Sequence, residues 1–390
     1  MTKIKIGLLK ETKSPVDNRV ALTPAQAQWL KEHYNVEVVA QSSDVRVFSD
    51  SDYSAHGVDV VDDVSDCDLL MGIKEVRIDS LIPEKHYVFF SHCAKLQPYN
   101  KPLAQEIAAR RITLTDYEYI TDENGVRKIA FGYFAGVVAV YNALRLYGMK
   151  YSSFSLPAPD QHWTVDALID RIIEEREGIQ KARPRILVTG TGRVGHGAKY
   201  VLDSISQRMG IDFKVLDVAD MVENNGRFEW DEFIHHPELY KSRFAEYVAD
   251  FDILISCHFW HPSAPRYFTN ELMLSPRNKI KVVADASCDI CGSIECTIRP
   301  STHSEPFYDY SPLTRGEVPL FSDLGNISVM AVDTLPNALP AEASDAFGKM
   351  AIESIVLPML NDDTATLKNA TIFENGRLTE RFMYMNDWLK

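Results

Sequence analysis

At 390 residues with 45% hydrophobic side chains, the chain can build two cores, and two compact lobes are expected. A formal net charge of −14, from 41 basic and 55 acidic residues, argues against a nucleic-acid or anionic-membrane partner, since both require clustered positive charge. Any anionic ligand must therefore meet cations that the fold gathers locally.

The first residues, Met1-Thr-Lys-Ile-Lys-Ile-Gly, lack the apolar stretch of a secretion signal, and the most apolar window, Tyr133 to Leu144, is shorter than the ~20 residues that span a bilayer. A cytoplasmic address without a membrane partner is expected, with a monomer as the first reading and an oligomer as the alternative. Six cysteines are too few for a disulfide scaffold. Cys288 and Cys291 form a C-x-x-C with Cys296 nearby, but no second C-x-x-C or histidine pair completes a zinc set, so packed thiols and no metal are expected.

From the N-terminus, strand-like runs alternate with helical patterns: IKIGLL (4–9), a helix opened by Thr23-Pro24, VEVVA (36–40), DLLMGIK (68–74), YVFFS (87–91) and ITLTDY (112–117). Such alternation reads as a parallel-sheet α/β lobe. Residues 131–148, FGYFAGVVAVYNALRLYG, read as one buried helix that links the lobes and ends at Gly148. A second α/β series follows: RILVT (185–189), FKVLDV (213–218), ILISC (253–257) and KVVADA (281–286). A last helix from about Ala341 to Leu360 is expected to pack back on the first lobe. The expected fold is α/β, with two Rossmann-like parallel-sheet domains and an interdomain active-site cleft. Residues 1–135 plus about 330–390 would form the substrate domain, and about 136–329 the dinucleotide domain.

Strand RILVT runs into Gly190-Thr-Gly-Arg-Val-Gly195, and a helix of about Val194 to Ser206 follows. This strand–turn–helix setting is what the dinucleotide fingerprint requires: Gly190 and Gly192 permit a tight turn and close approach, and Gly195 permits close helix–strand packing. The helix N-terminus offers amides to pyrophosphate. The next strand reaches Asp217, whose carboxylate suits ribose hydroxyls and repels a 2′-phosphate, so NAD is preferred to NADP. The alternative is that Asp217 merely caps the helix after it. Arg193, inside the turn, is read as a pyrophosphate neighbour or a solvated side chain.

In the first lobe, Arg19, Lys74, His92 and Arg127 lie after the carboxyl ends of strands, where parallel sheets bind ligands. The arginines suit bidentate carboxylate capture. Lysine and histidine suit the proton traffic of amine oxidation, which deprotonates the nitrogen, activates water on the imine and protonates the departing amine. Simpler readings are that Lys74 pairs with Glu75 and that the His92 ring caps the next turn.

At these residues the sequence resembles a known family. LLKETK and NRVALTP (within 8–24), MGIKEV (71–76), FFSHCAKLQ (89–97), DYEY (116–119), RKIAFGYFAG (127–136), GTGRVGHGA (190–198), SAPRYFTNELM (263–273) and VDTLPNALPAEAS (332–344) are similar to NAD-dependent, lysine-forming saccharopine dehydrogenases, within the wider family of alanine dehydrogenases and transhydrogenases. The resemblance implies oxidative cleavage of saccharopine to lysine and 2-oxoglutarate with NAD, or the reverse condensation, so the partners are these small molecules. It implies Lys74 as base and His92 as acid, with Arg19, Gln97, Arg127 and Phe131 lining the substrate pocket and Glu118 tuning charge. Asp333, Leu335 and Cys257 would lie near the cofactor, with Gly190, Gly192, Arg193, Val194, Gly195 and Asp217 holding it. Val126 stands where this branch has a second arginine. Asp289, in CDICGSIECT (288–297), stands where alanine dehydrogenases place a functional aspartate, so an alanine-type amino-acid dehydrogenase or another opine dehydrogenase is the alternative. A non-catalytic NAD sensor is the reading from another class.

Overall fold

The computed structural model describes residues 4–361, 363 and 365–390. The chain forms two compact units, Met1–Phe131 with Pro340–Lys390, and Gly132–Leu339. The chain passes between units at 131/132 and 339/340, rather than near 135 and 330.

The first unit is built on an eight-stranded sheet. Lys5–Leu8, Glu37–Gln41, Asp59–Val61, Leu69–Met71, His86–Val88 and Thr113–Thr115 pair in parallel. Two antiparallel strands, Thr371–Glu374 and Arg377–Leu378, extend the edge beyond Thr113–Thr115. The sheet is therefore mixed at an edge that the sequence pattern did not reveal. The first helix, Pro24–Tyr34, opens with a capping box between Thr23 and Gln26. Gln26 Nε2 also donates to the Asp345 carbonyl at 2.7 Å, fastening this helix to Pro340–Ala351. The expected helix from about 341 to 360 continues through a π-helical turn, Ile352–Val356, into Leu357–Leu360. Pro358, which lacks an amide to donate, stands where that turn ends.

The second unit holds a seven-stranded sheet. Phe213–Leu216, Ile186–Thr189, Ile253–Ser256, Val282–Asp285 and Ile327–Met330 run parallel, and Phe307–Ser311 and Gly316–Val318 add antiparallel pairs. Helix Gly132–Tyr151 belongs to this unit and is buried along most of its length. It does not end at Gly148. A Cβ there would stand 2.5 Å from the Phe154 carbonyl oxygen, so this glycine admits a returning chain instead of capping the helix. The same helix meets helix Arg193–Met209 almost backbone to backbone, since a Cβ on Gly136 would lie 1.9 Å from the Val194 carbonyl oxygen, and one on Gly197 1.9 Å from that of Tyr133. Among the described residues, no helix is long and apolar enough to cross a membrane.

Candidate active site

In the first unit, strands Lys5–Leu8, Leu69–Met71, His86–Val88 and Thr113–Thr115 are successive neighbours. All four run parallel, so the segments bearing Arg19, Lys74, His92 and Glu118 leave the same sheet edge.

Glu118 is the centre of a charge cluster. It is 5% exposed, and an imidazole and two cations converge on it: His92 Nδ1 at 3.4 Å from Oε2, Lys95 Nζ at 3.0 Å from Oε1, and the Arg127 guanidinium on the same Oε1. Burial works to raise the carboxyl, but the bond from His92 and the charges of Arg127 and Lys95 outweigh it and hold Glu118 at about 2. Lys95 Nζ also stands 3.3 Å from His92 Nδ1. The imidazole thus aims Nδ1 into the cluster. His92 does occupy the N-cap of a short 3₁₀ turn, Cys93–Lys95, yet its ring makes no capping bond. The cap reading is set aside on that geometry.

Arg19 is 4% exposed, and its fork is already engaged: Nε donates to Asp17 Oδ1 at 2.9 Å and the terminal nitrogen to Oδ2 at 2.5 Å. Burial raises the Asp17 carboxyl, but Arg19 prevails and its pKa lies below the usual value. The Arg19 guanidinium also lies 4.1 Å over the Phe131 ring, whose other neighbour, Phe347, stacks at 4.3 Å and 4°. Phe131 therefore supports Arg19 and the C-terminal helix, and Arg19 retains only part of its donor set for a substrate carboxylate.

Lys74 follows the strand end on a turn held by Glu11, whose oxygens accept the Ile73 amide at 2.6 Å and the Lys74 amide at 2.9 Å. Burial and the neighbouring Asp17 charge push Glu11 up to about 8, against these two bonds and Arg19. Glu75 pairs with Lys13 at 2.6 Å. Gln97 is exposed at the start of a 3₁₀ turn, Pro98–Asn100. Sequence reasoning assigned no role to Glu11, Asp17 or Lys95. The Asp17/Arg19 and His92/Lys95 spacings were local signals for such pairs, while the contacts of Glu11 with Ile73 and Lys74 and of Lys95 with Glu118 join distant segments.

In the second unit the glycine turn has the form the motif requires. Gly190 adopts φ +96°, and a Cβ there would meet the Cys257 carbonyl at 2.7 Å; one on Gly195 would lie 1.9 Å from the Gly190 oxygen. Around Gly192 the space is open, and this residue caps a 17-residue helix with no side chain of its own. Arg193 and Val194 open that helix. Its first-turn amides have no acceptor within the helix, which fits a pyrophosphate. Asp217 does cap the next helix, accepting from the Val218 amide at 2.6 Å through Oδ1. Its Oδ2 accepts from Thr191 Oγ1 of the glycine turn at 3.2 Å. The capping reading and the ribose reading thus use different oxygens.

Cys257 follows strand Ile253–Ser256, next to the strand of the glycine turn. Beside it His258 is buried between Thr189 Oγ1 and Ser293 Oγ, each at 2.7 Å, and burial pushes its pKa down to about 3. This neutral imidazole fastens the loop of residues 286–298 to the strand that bears the turn. Asp333 is exposed and Leu335 buried after strand Ile327–Met330, so both belong with the dinucleotide unit. Cys288 donates to the Ala331 carbonyl at 3.2 Å, and Cys291 is exposed. Asp289 is half-buried, its pKa raised by burial and by Asp285.

Two family models match most of the chain. The family described as "Alanine dehydrogenase/PNT, N-terminal domain" matches residues 7–138, and "Alanine dehydrogenase/PNT, C-terminal domain" matches residues 175–381. The chain is 30% identical to "Saccharopine dehydrogenase [NAD(+), L-lysine-forming]" of Neurospora crassa, over 93% of this chain and 92% of that one. It is also 30% identical to "Alpha-aminoadipic semialdehyde synthase" of Arabidopsis thaliana, over 97% of this chain but 41% of the relative, so it spans less than half of that longer protein. A solved L-alanine dehydrogenase shares the fold with a TM-score of 0.67 at 17% identity, over 99% of this chain and 100% of that one. The chain belongs to the alanine dehydrogenase/PNT family, among its saccharopine dehydrogenase relatives.

Proposed function

We propose that the chain is an NAD-dependent dehydrogenase acting on a CH–NH bond, which cleaves saccharopine to lysine and 2-oxoglutarate or runs the reverse condensation. The observation that carries this reading is the convergence of His92, Lys95 and Arg127 on the buried Glu118 at a sheet edge shared with Lys74 and Arg19. Saccharopine is a secondary amine bearing several carboxylates, and a chain of net charge −14 must gather cations to hold it. Relatives named as lysine-forming saccharopine dehydrogenases support the choice of substrate.

In this reading Gly190, Gly192 and Gly195 would hold NAD, which would supply the hydride acceptor for the carbon next to the amine. Lys74 accepts the amine proton, so that the nitrogen lone pair can form the imine. A water then adds to the imine carbon, and His92 exchanges its protons through Nε2 while the lysine amine departs. Arg127 and the remaining donors of Arg19 orient the carboxylates, and Gln97 lines the same edge. Glu118 offsets the charges of Lys95 and Arg127, so the cluster does not simply hold the product anion. Asp217 would hold the ribose of the dinucleotide, with Arg193, Val194, Cys257, Asp333 and Leu335 as its other neighbours in the second unit.

Steady-state oxidation distinguishes this reading from an alanine-type enzyme. NADH formation from saccharopine plus NAD, with none from alanine plus NAD, is expected. The opposite pattern overturns the assignment.

A further inference from the structure

His92 holds a left-handed backbone, φ 53°, uncommon for a residue with a side chain. The chain on either side of it is tied to Asp116. Its Oδ2 accepts from the Ser91 amide at 2.9 Å and from Ser91 Oγ at 2.7 Å, while Oδ1 accepts from the Glu118 amide at 2.8 Å. Ser91 Oγ in turn accepts from the Cys93 amide at 3.3 Å. The residues before and after His92, and the backbone of Glu118, are thus tied to one carboxylate. Asp116 and Ser91 are fully buried, and the Asp116 amide anchors the arrangement to the Ala370 carbonyl at 3.0 Å.

We propose that Asp116 is a positioning residue: by holding Ser91 and Glu118 on its two oxygens, it sets His92 and Lys95 against the Glu118 carboxylate. Its bearing on proton transfer rests on the reading of His92 as acid; the bracket itself does not.

One measurement separates this from a mere change of charge. Burial, with the Glu118 charge, raises the Asp116 carboxyl above its usual value, so Asp116 is already neutral in the acid range where Glu118 titrates, and Asp116→Asn with no movement leaves Glu118 as it is. Releasing the bracket lets His92 and Lys95 drift, which makes Glu118 harder to ionise, because those cations oppose its burial. The test is a carboxyl ¹³C titration of Glu118 in the full chain, for wild type, Asp116→Asn and Ser91→Ala, with turnover and NAD affinity measured alongside. In wild type, Glu118 stays ionised down to about pH 3; in Asp116→Asn it titrates at roughly pH 3–5. Turnover falls roughly 10- to 100-fold with the NAD dissociation constant unchanged, and Ser91→Ala moves both readouts less, in the same direction. Ser91→Ala carries the test if Asp116→Asn does not fold. Glu118 remaining ionised to about pH 3 in the folded variants overturns the proposal. If Glu118 shifts while turnover holds, the bracket stands and the role of His92 as acid falls.

Discussion

Glu11 shows how a single carboxyl links local structure to pH. Its side chain closes the turn that carries Lys74 by accepting two consecutive amides, yet burial and Asp17 raise it from 4.5 to about 8. Between those values the folded chain keeps a proton that the unfolded chain has released. Stability is therefore predicted to fall as pH rises from about 4.5 to about 8, by a few kcal/mol at most. Glu11→Gln cannot titrate, so the stability difference should move in its favour across that window. Parallel urea unfolding curves at several pH values check this, and curves that keep a constant separation contradict it. Neither this role nor the Asp116 bracket is readable from sequence, because the amides on Glu11 and the Ser91 donors on Asp116 come from segments far along the chain. Lys74, His92 and Arg127 were readable because strand ends followed by polar residues can be located from pattern alone.

At the scale of elements, the crossing of helices Gly132–Tyr151 and Arg193–Met209 has the smallest tolerance, with Gly136 and Gly197 each facing a carbonyl oxygen of the other helix. Gly136→Ala is predicted to cost about 1–3 kcal/mol through overpacking. It should also weaken NAD binding, because its clash falls on Val194 at the start of the helix that the glycine turn opens. Calorimetry and an NAD titration check both effects, and an unchanged melting temperature contradicts the close crossing. The apolar run 131–148 announced the first of these helices, but the glycines within it were ambiguous: Gly148 reads as a helix terminator and proves to be a packing position. The antiparallel strands were missed for a related reason. Strands of two to five residues give too short an alternation to stand out from loops, and only their partners in the sheet define them.

Across the whole molecule, the residues proposed for proton chemistry and those proposed for dinucleotide recognition fall on separate units of the chain. Alternating strands and helices made both α/β units legible, and the glycine turn identified the dinucleotide unit. The chemistry was legible mainly through resemblance, since the cations around Glu118 meet only after folding. Lys74→Met is predicted to lower turnover by roughly 10²- to 10⁴-fold while leaving NAD affinity within about twofold. Equal losses in turnover and affinity would contradict this separation. The central claim, joining of lysine to a 2-oxo acid, is tested most directly by NADH consumption in the reductive direction. NADH should be consumed with lysine and 2-oxoglutarate together, and not with either alone or with pyruvate plus ammonia. Consumption with pyruvate plus ammonia, and none with lysine plus 2-oxoglutarate, would contradict the account.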